Sequence, residues 1–191
     1  VFIAYGSARA LAKTAIGTNT QPSSLGSTTP DKIRFVGGRL IALDANKIEE
    51  LAADGSVLGS ATFSLTHGSV WKDVCVGPVG LYAAANSNDT GSLYFLATAS
   101  NGAITSPQQV AVNAITSYGG LLILATSKGL RVAAMNQDAS VSYGPVIDNG
   151  GAAYGLATDE RFVWFGTGSG QLYRADLSVF TETLVPAWAK D

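Results

Sequence analysis

Four stretches of this chain repeat one pattern at a fixed interval, and that interval restricts the fold more than any other feature. They are "GGRLIALDANKIEELAADGS" (37–56), "GPVGLYAAANSNDTGSLYFLATASNG" (77–102), "YGGLLILATSKGLRVAAMNQDAS" (118–140) and "DERFVWFGTGSGQLYRADLS" (159–178). Each reads as turn, apolar strand, second turn, second strand. The apolar strands align on Leu40, Leu81, Leu122 and Val163, 41 residues apart at every step. One further step back lands just before Val1, so "VFIAY" takes the place of a fifth copy.

Each unit extends to four strands, a to d in chain order. Upstream lie the apolar segments "KIRFV" (32–36), "DVCVG" (73–77), "AITSY" (114–118) and "AAYGLAT" (152–158). Downstream lie the more polar "GSATFSL" (59–65), "TSPQQVAV" (105–112), "SYGPVI" (142–147) and "TETLVPA" (181–187). Strands a and b are small and apolar, as in a sheet buried on both faces. Strand c alternates, as in "GQLYRADL". Strand d carries Pro107, Pro145 and Pro186, and proline is tolerated in a sheet mainly at an edge. Ala153 and Gly155 are expected to suit a crowded inner strand.

Four strands in a period of 40–45 residues is the mark of a β-propeller blade. One such sheet has two apolar faces and can bury neither alone, whereas stacking around an axis buries both. The expectation is therefore an all-β chain, a single propeller domain over 1–191 of four-stranded antiparallel blades. About five fall in this chain: a partial one at 1–30, then 31–70, 71–112, 113–150 and 151–191. The strands number nineteen, one short of a five-bladed ring. Either the ring closes with an irregular segment or the chain belongs to a larger propeller. A β-sandwich would not give three equal spacings, and a β-helix has shorter coils. Helix formers occur together in "DANKIEELAADGS" (44–56), but Gly55 and the alignment with strand c favour strand there.

Composition narrows the function. A net charge of −2 without a basic run argues against nucleic acid, and no apolar stretch is long enough to insert in a membrane. The lone Cys75, between Val74 and Val76, reads as a buried thiol. "VFIAYG" lacks an initiator Met and a charged n-region, so it reads as part of a longer polypeptide and not as a signal peptide. "GTGSGQ" (166–171) precedes a strand, not a helix, so its glycines read as turn residues instead of a phosphate cradle. "NSNDTG" (86–91) resembles half a calcium loop, but its twelfth place is Ala97 and it holds one carboxylate, so no metal is expected. This b–c loop looks about four residues longer than its counterparts. Its Asn88-Asp89-Thr90 sequon matters only in a eukaryotic secretory setting. His67 is the sole histidine and has no partner residues nearby in sequence, and no acid pair stands out by spacing. No catalytic residues and no cofactor are expected.

The pieces "TSKGLRVAAMNQDASVSYGPVI" (126–147) and "TDERFVWFGTGSGQLYRADLS" (158–178) resemble β-propeller domains in minor tail (tail-tip) proteins of long-tailed bacteriophages of actinobacteria. The shared features are an apolar b strand, T-x-x-G-L-R leading into strand c, a D-x-S turn, and Y-G-P opening strand d. The resemblance covers nearly the whole chain as a repeat style. It implies a structural, non-catalytic virion component, made in bacterial cytoplasm and presented at the host end of the tail. Its partners would be other tail proteins or a host cell-surface glycan. The rival is an extracellular propeller that binds or cleaves carbohydrate.

In a propeller the d–a and b–c connections emerge on one end. Here that end is expected to carry Asp44, Asn46, His67, Trp71, Asn86, Asn88, Asp89, Lys128, Asp148 and Asn149 as the binding face. Loops on a rigid scaffold are where function concentrates.

Overall fold

A computed structural model of the chain describes residues 2–5, 10–13, 23–24, 30–97, 101–104, 110–147, 151–159 and 161–178. Among these residues every element is a strand. Five antiparallel sheets follow one another, each with its strands adjacent in chain order. The chain divides into two compact units, Val1–Leu65 and Thr66–Asp191.

The first unit holds two sheets. One is β1 (Phe2–Tyr5), β2 (Ala10–Lys13) and β3 (Ser23–Ser24). The other is β4 (Lys32–Val36), β5 (Arg39–Asp44), β6 (Lys47–Leu51) and β7 (Val57–Thr62). The helix-prone "DANKIEEL" is thus strand, with Lys47 paired to Asp44 across a tight turn. Tertiary pairing overrides helix propensity here, with Ile48 and Leu51 buried in the sheet between β5 and β7.

The second unit holds three sheets. β8 (Val70–Gly77), β9 (Gly80–Ser87), β10 (Thr90–Ala97) and β11 (Asn101–Ile104) form the first. β12 (Val112–Tyr118), β13 (Leu121–Thr126), β14 (Gly129–Met135) and β15 (Val141–Ile147) form the second. β16 (Ala153–Asp159), β17 (Phe162–Thr167) and β18 (Leu172–Asp176) form the third. A fourth strand expected there at 181–187 lies outside the described residues, as do Pro107 and Pro186.

The b strands are the most buried, as the 41-residue alignment requires. Leu40, Leu81, Leu122 and Val163 are all buried, each at the same register in its sheet. In the second unit two apolar clusters lie between consecutive sheets. Tyr82, Ala84 and Leu93 pack on Leu122, Leu124 and Met135. Leu121, Ile123, Leu130 and Val132, on the far face of that middle sheet, pack on Ala153, Val163 and Phe165. β13 therefore sends alternate side chains to the sheets on either side of it. β14 is buried along its whole length, where strand c was expected to alternate.

Strand a runs innermost in this unit, since β12 contacts both β8 and β16. Each of these three strands carries one bulge, at Lys72, Asn113 and Gly155. The bulges turn side chains toward the next sheet. The Asp73 carboxylate accepts from the Ile115 amide at 3.2 Å, and the Asn113 side chain donates to the Ala153 carbonyl at 2.8 Å. At Gly155 the reason for glycine is the backbone, with φ +58 and open space around the Cα, and not crowding as expected.

Two expectations about strand positions are corrected. The fourth strand of the 71–112 repeat is Asn101–Ile104, residues 105–109 of the segment expected for it lie outside the described residues, and Val112 already belongs to the next strand a. "NSNDTG" is not a long loop either: Ser87 pairs with Thr90, leaving only Asn88-Asp89 as the turn. The extra residues lengthen both strands of the hairpin, because extending a ladder satisfies backbone groups that a loop would leave to water. Pro145 sits where β15 slips register against β14, on the edge strand of its sheet, as proline requires.

Candidate functional site

The d–a and b–c connections lie together at one end of the sheets in the second unit, and backbone hydrogen bonds fix them there. The Ser127 amide donates to the Ala111 carbonyl at 2.9 Å, and the Gly168 amide, 41 residues on, donates to Ala152 at 3.2 Å. In the first hairpin Ser87 Oγ donates to the His67 carbonyl at 3.2 Å.

Between that d–a connection and the β9–β10 hairpin lies an open cleft of about 510 Å³, lined by Thr66, Ser87, Asn88, Asp89, Thr90 and Ser92. The lining residues carry four hydroxyls, one amide and one carboxylate, and one of these hydroxyls, Ser87 Oγ, donates to the His67 carbonyl. Hydroxyls and amides both donate and accept, whereas the carboxylate only accepts. The set suits a neutral or cationic polyhydroxylated ligand and opposes an anion, because Asp89 is the one charged residue in the lining. No group of three His, Cys, Asp or Glu able to hold a metal occurs among the described residues.

The residues expected at the binding end separate into distinct roles. Asn88 and Asp89 form the hairpin tip and are exposed, with Asn88 at φ 53, a conformation asparagine tolerates. His67 and Lys128 are also exposed. Trp71 is buried and packs edge-on against Tyr94, with ring centroids 5.4 Å apart. Asn86 is buried too: its Oδ1 accepts from the Val112 amide and its Nδ2 donates to the Val112 carbonyl, both at 2.9 Å. Trp71 and Asn86 are held by the protein's own core and do not line the cleft. Asp44 and Asn46 flank the β5–β6 turn in the first unit, where the Asn46 carbonyl accepts from Phe63. Asp148 and Asn149 lie outside the described residues.

Thr66, Ser87, Thr90 and Ser92 line the cleft but escaped the sequence reading. Single hydroxyl residues in a Ser- and Thr-rich chain carry no signal until the hairpin register is known. The other end of the sheets has its own regular chemistry. In the c–d turns Asp54, Asp138 and Asp176 each accept from the backbone amide and the hydroxyl of the serine two residues on, at 2.6–3.0 Å. Hydrogen bonds from Ser56 and Ser140 hold the Asp54 and Asp138 carboxyls below the usual range. Asp176 is lowered by Arg161 first and Ser178 second. These are turn devices and offer no acid poised for proton transfer. Burial raises the Cys75 thiol, with Asp73 adding to the shift, so the sulfur stays protonated.

Comparison with known proteins establishes the fold. No protein-family model matches the chain, and no curated protein matches it. Among solved structures, virginiamycin B lyase from Staphylococcus aureus, in a catalytically inactive form with quinupristin, is similar over 86% of this chain and 58% of its own, at 13% identity and TM-score 0.62. A streptogramin B lyase is similar over 88% and 62%, at 16% identity and TM-score 0.61. A chain of a nidogen–laminin complex is similar over 91% and 70%, at 12% identity and TM-score 0.65. The chain thus spans about three fifths of the length of these lyases. The repeat, the stacked four-stranded sheets and these likenesses together make the chain a β-propeller protein of the all-β class.

Proposed function

We propose that this chain is a non-catalytic binding module of a bacteriophage tail tip that takes a host cell-surface glycan at the hairpin-tip end of its sheets. The observation that carries the glycan reading is the cleft at Thr66 and Ser87–Ser92, whose lining is hydroxyl, amide and one carboxylate. The placement on a virion rests on the motif resemblance. T-x-x-G-L-R falls on Thr126–Arg131, which forms the b–c turn, and D-x-S falls on the serine-bonded c–d turns at Asp138 and Asp176.

The test is binding of the purified chain to soluble cell-wall glycan fragments from actinobacterial hosts, with the fragments analysed by mass afterwards. The expected outcome is saturable binding, lost in an Asn88→Ala/Asp89→Ala double variant, with the glycan recovered uncut. Shortened glycan after incubation would overturn the non-catalytic reading and favour a carbohydrate-active propeller. Binding unaffected by the double variant would overturn the site.

A further inference from the structure

The β9–β10 hairpin runs further than the other b–c hairpins. Five residues past the aligned Leu40, Leu81, Leu122 and Val163 stand Ala45, Asn86, Ser127 and Gly168. Ala45, Ser127 and Gly168 already lie in their turns, beyond the last ladder pairs Asp44–Lys47, Thr126–Gly129 and Gly166–Leu172. Asn86 is still paired, with Gly91, and the pair Ser87–Thr90 follows it. A two-stranded ribbon running past its sheet has little stability of its own. These last pairs need support if they are to form a fixed wall.

That support comes from both faces. Directly opposed residues share a face and successive residues alternate, so Asn86 and Gly91 lie on one face and Ser87, Thr90 and Ser92 on the other. On the first face the hairpin sits flush against the start of the next inner strand. Asn86 Oδ1 accepts from the Val112 amide and Nδ2 donates to the Val112 carbonyl. A Cβ on Gly91 would clash with the Val110 carbonyl oxygen and lie 3.0 Å from the Val112 nitrogen. On the second face Ser87 Oγ donates to the His67 carbonyl. This second face carries the cleft, since Ser87, Thr90 and Ser92 line it together with Thr66. The wall of the cleft belongs to one sheet, and the contacts behind it come from the next.

We propose that Asn86 is a positioning residue for the cleft, fixing its hairpin wall from behind in the orientation that takes the ligand, an inference that rests on the reading of the cleft as a glycan site. Asn86 touches no ligand and acts through the pairs Asn86–Gly91 and Ser87–Thr90. A wall formed in advance removes an ordering step from binding. A wall that holds the competent orientation only part of the time weakens binding in proportion.

Asn86→Asp gives a signature that lost stability alone would not. Ionised, the carboxylate accepts from the Val112 amide and repels the Val112 carbonyl. Protonated, it donates its O–H to that carbonyl while its other oxygen accepts from the amide, which restores both bonds. Burial beside a carbonyl raises the pKa of such a carboxyl. Binding of the soluble cell-wall glycan fragments by Asn86→Asp is expected to be about tenfold weaker than wild type at about pH 7 and to approach wild type at about pH 5, each compared at the same pH. Asn86→Ala is expected to stay about tenfold weaker at both. Val132→Ala, in the separate apolar cluster between the second and third sheets of this unit, controls for lost stability and is expected to bind as wild type does. In the ligand-free chains, amide exchange at 87–92 is expected to quicken about tenfold in Asn86→Ala and to stay unchanged in Val132→Ala. Equal binding by wild type and Asn86→Ala, an Asn86→Asp deficit that does not change with pH, or unchanged exchange at 87–92 in Asn86→Ala overturns the proposal. A wild-type chain that takes up none of the fragments overturns the glycan reading instead, and the exchange comparison then decides the role of Asn86 by itself.

Discussion

Asn86 shows how one side chain can hold two sheets in place. Its amide meets both the N–H and the C=O of Val112, so the end of β9 is pinned to the start of the next inner strand. Removing it orphans buried backbone groups, each worth about 1–3 kcal/mol. Asn86→Ala is expected to lower unfolding free energy by about 2 kcal/mol in urea titration, and Asn86→Asp by more, since a carboxylate would face the Val112 carbonyl. Gly91 belongs to the same clamp. A Cβ there would lie 2.3 Å from the Val110 carbonyl oxygen, so Gly91→Ala forces the backbone apart. Ala45 is the opposite case: an exposed alanine at φ 42, in a turn that favours glycine. Ala45→Gly is expected to raise stability by about 0.5–1 kcal/mol, read as a higher urea midpoint at unchanged slope. Neither clamp residue could be recognised from its neighbours in sequence, because the partner strand lies about one strand pair further on.

At the scale of the strand and turn, much was legible. The apolar b strands, the D-x-S turns and the proline on the edge strand follow from local rules that tertiary context does not override. Leu122→Ala, fully buried between two sheets, is expected to cost about 2–5 kcal/mol, whereas Leu58→Ala, largely exposed, stays within about 0.5 kcal/mol. The extended hairpin was not legible, since "NSNDTG" reads as a loop until the pairing of Ser87 with Thr90 is known. Shortening 86–91 deletes Asn86 and Gly91 together, so it is expected to destabilise the fold and not merely trim a loop. The turn carboxylates also set a pH dependence. Hydrogen bonds absent from the unfolded chain lower Asp54, Asp138 and Asp176, so their contribution is present above about pH 4 and is lost as pH falls below it. Cys75 acts in reverse: its raised thiol keeps its proton in the fold, so stability declines as pH rises past about 8.5, where the unfolded thiol ionises. Thermal midpoints are expected to plateau between about pH 5 and 8 and to fall on both sides.

For the whole molecule, a spacing of 41 residues predicts stacked four-stranded sheets because it brings equivalent apolar positions to equivalent heights in every sheet. Far-UV circular dichroism is expected to show β structure with negligible helix. The cleft was only partly legible. The exposed tip, Asn88 and Asp89, could be read as a turn, but its hydroxyl walls depend on which residues the register turns outward. Ligand binding is proposed for the end where the d–a and b–c connections meet. Amide hydrogen exchange with and without soluble host cell-wall glycan tests it most directly. The expected result is added protection at residues 66–70 and 87–92, with the a–b turns at 37–38 and 119–120 and the c–d turns at 52–56 and 136–140 unchanged. Protection at those a–b or c–d turns instead, or none at 66–70 and 87–92 under saturating glycan, would contradict it.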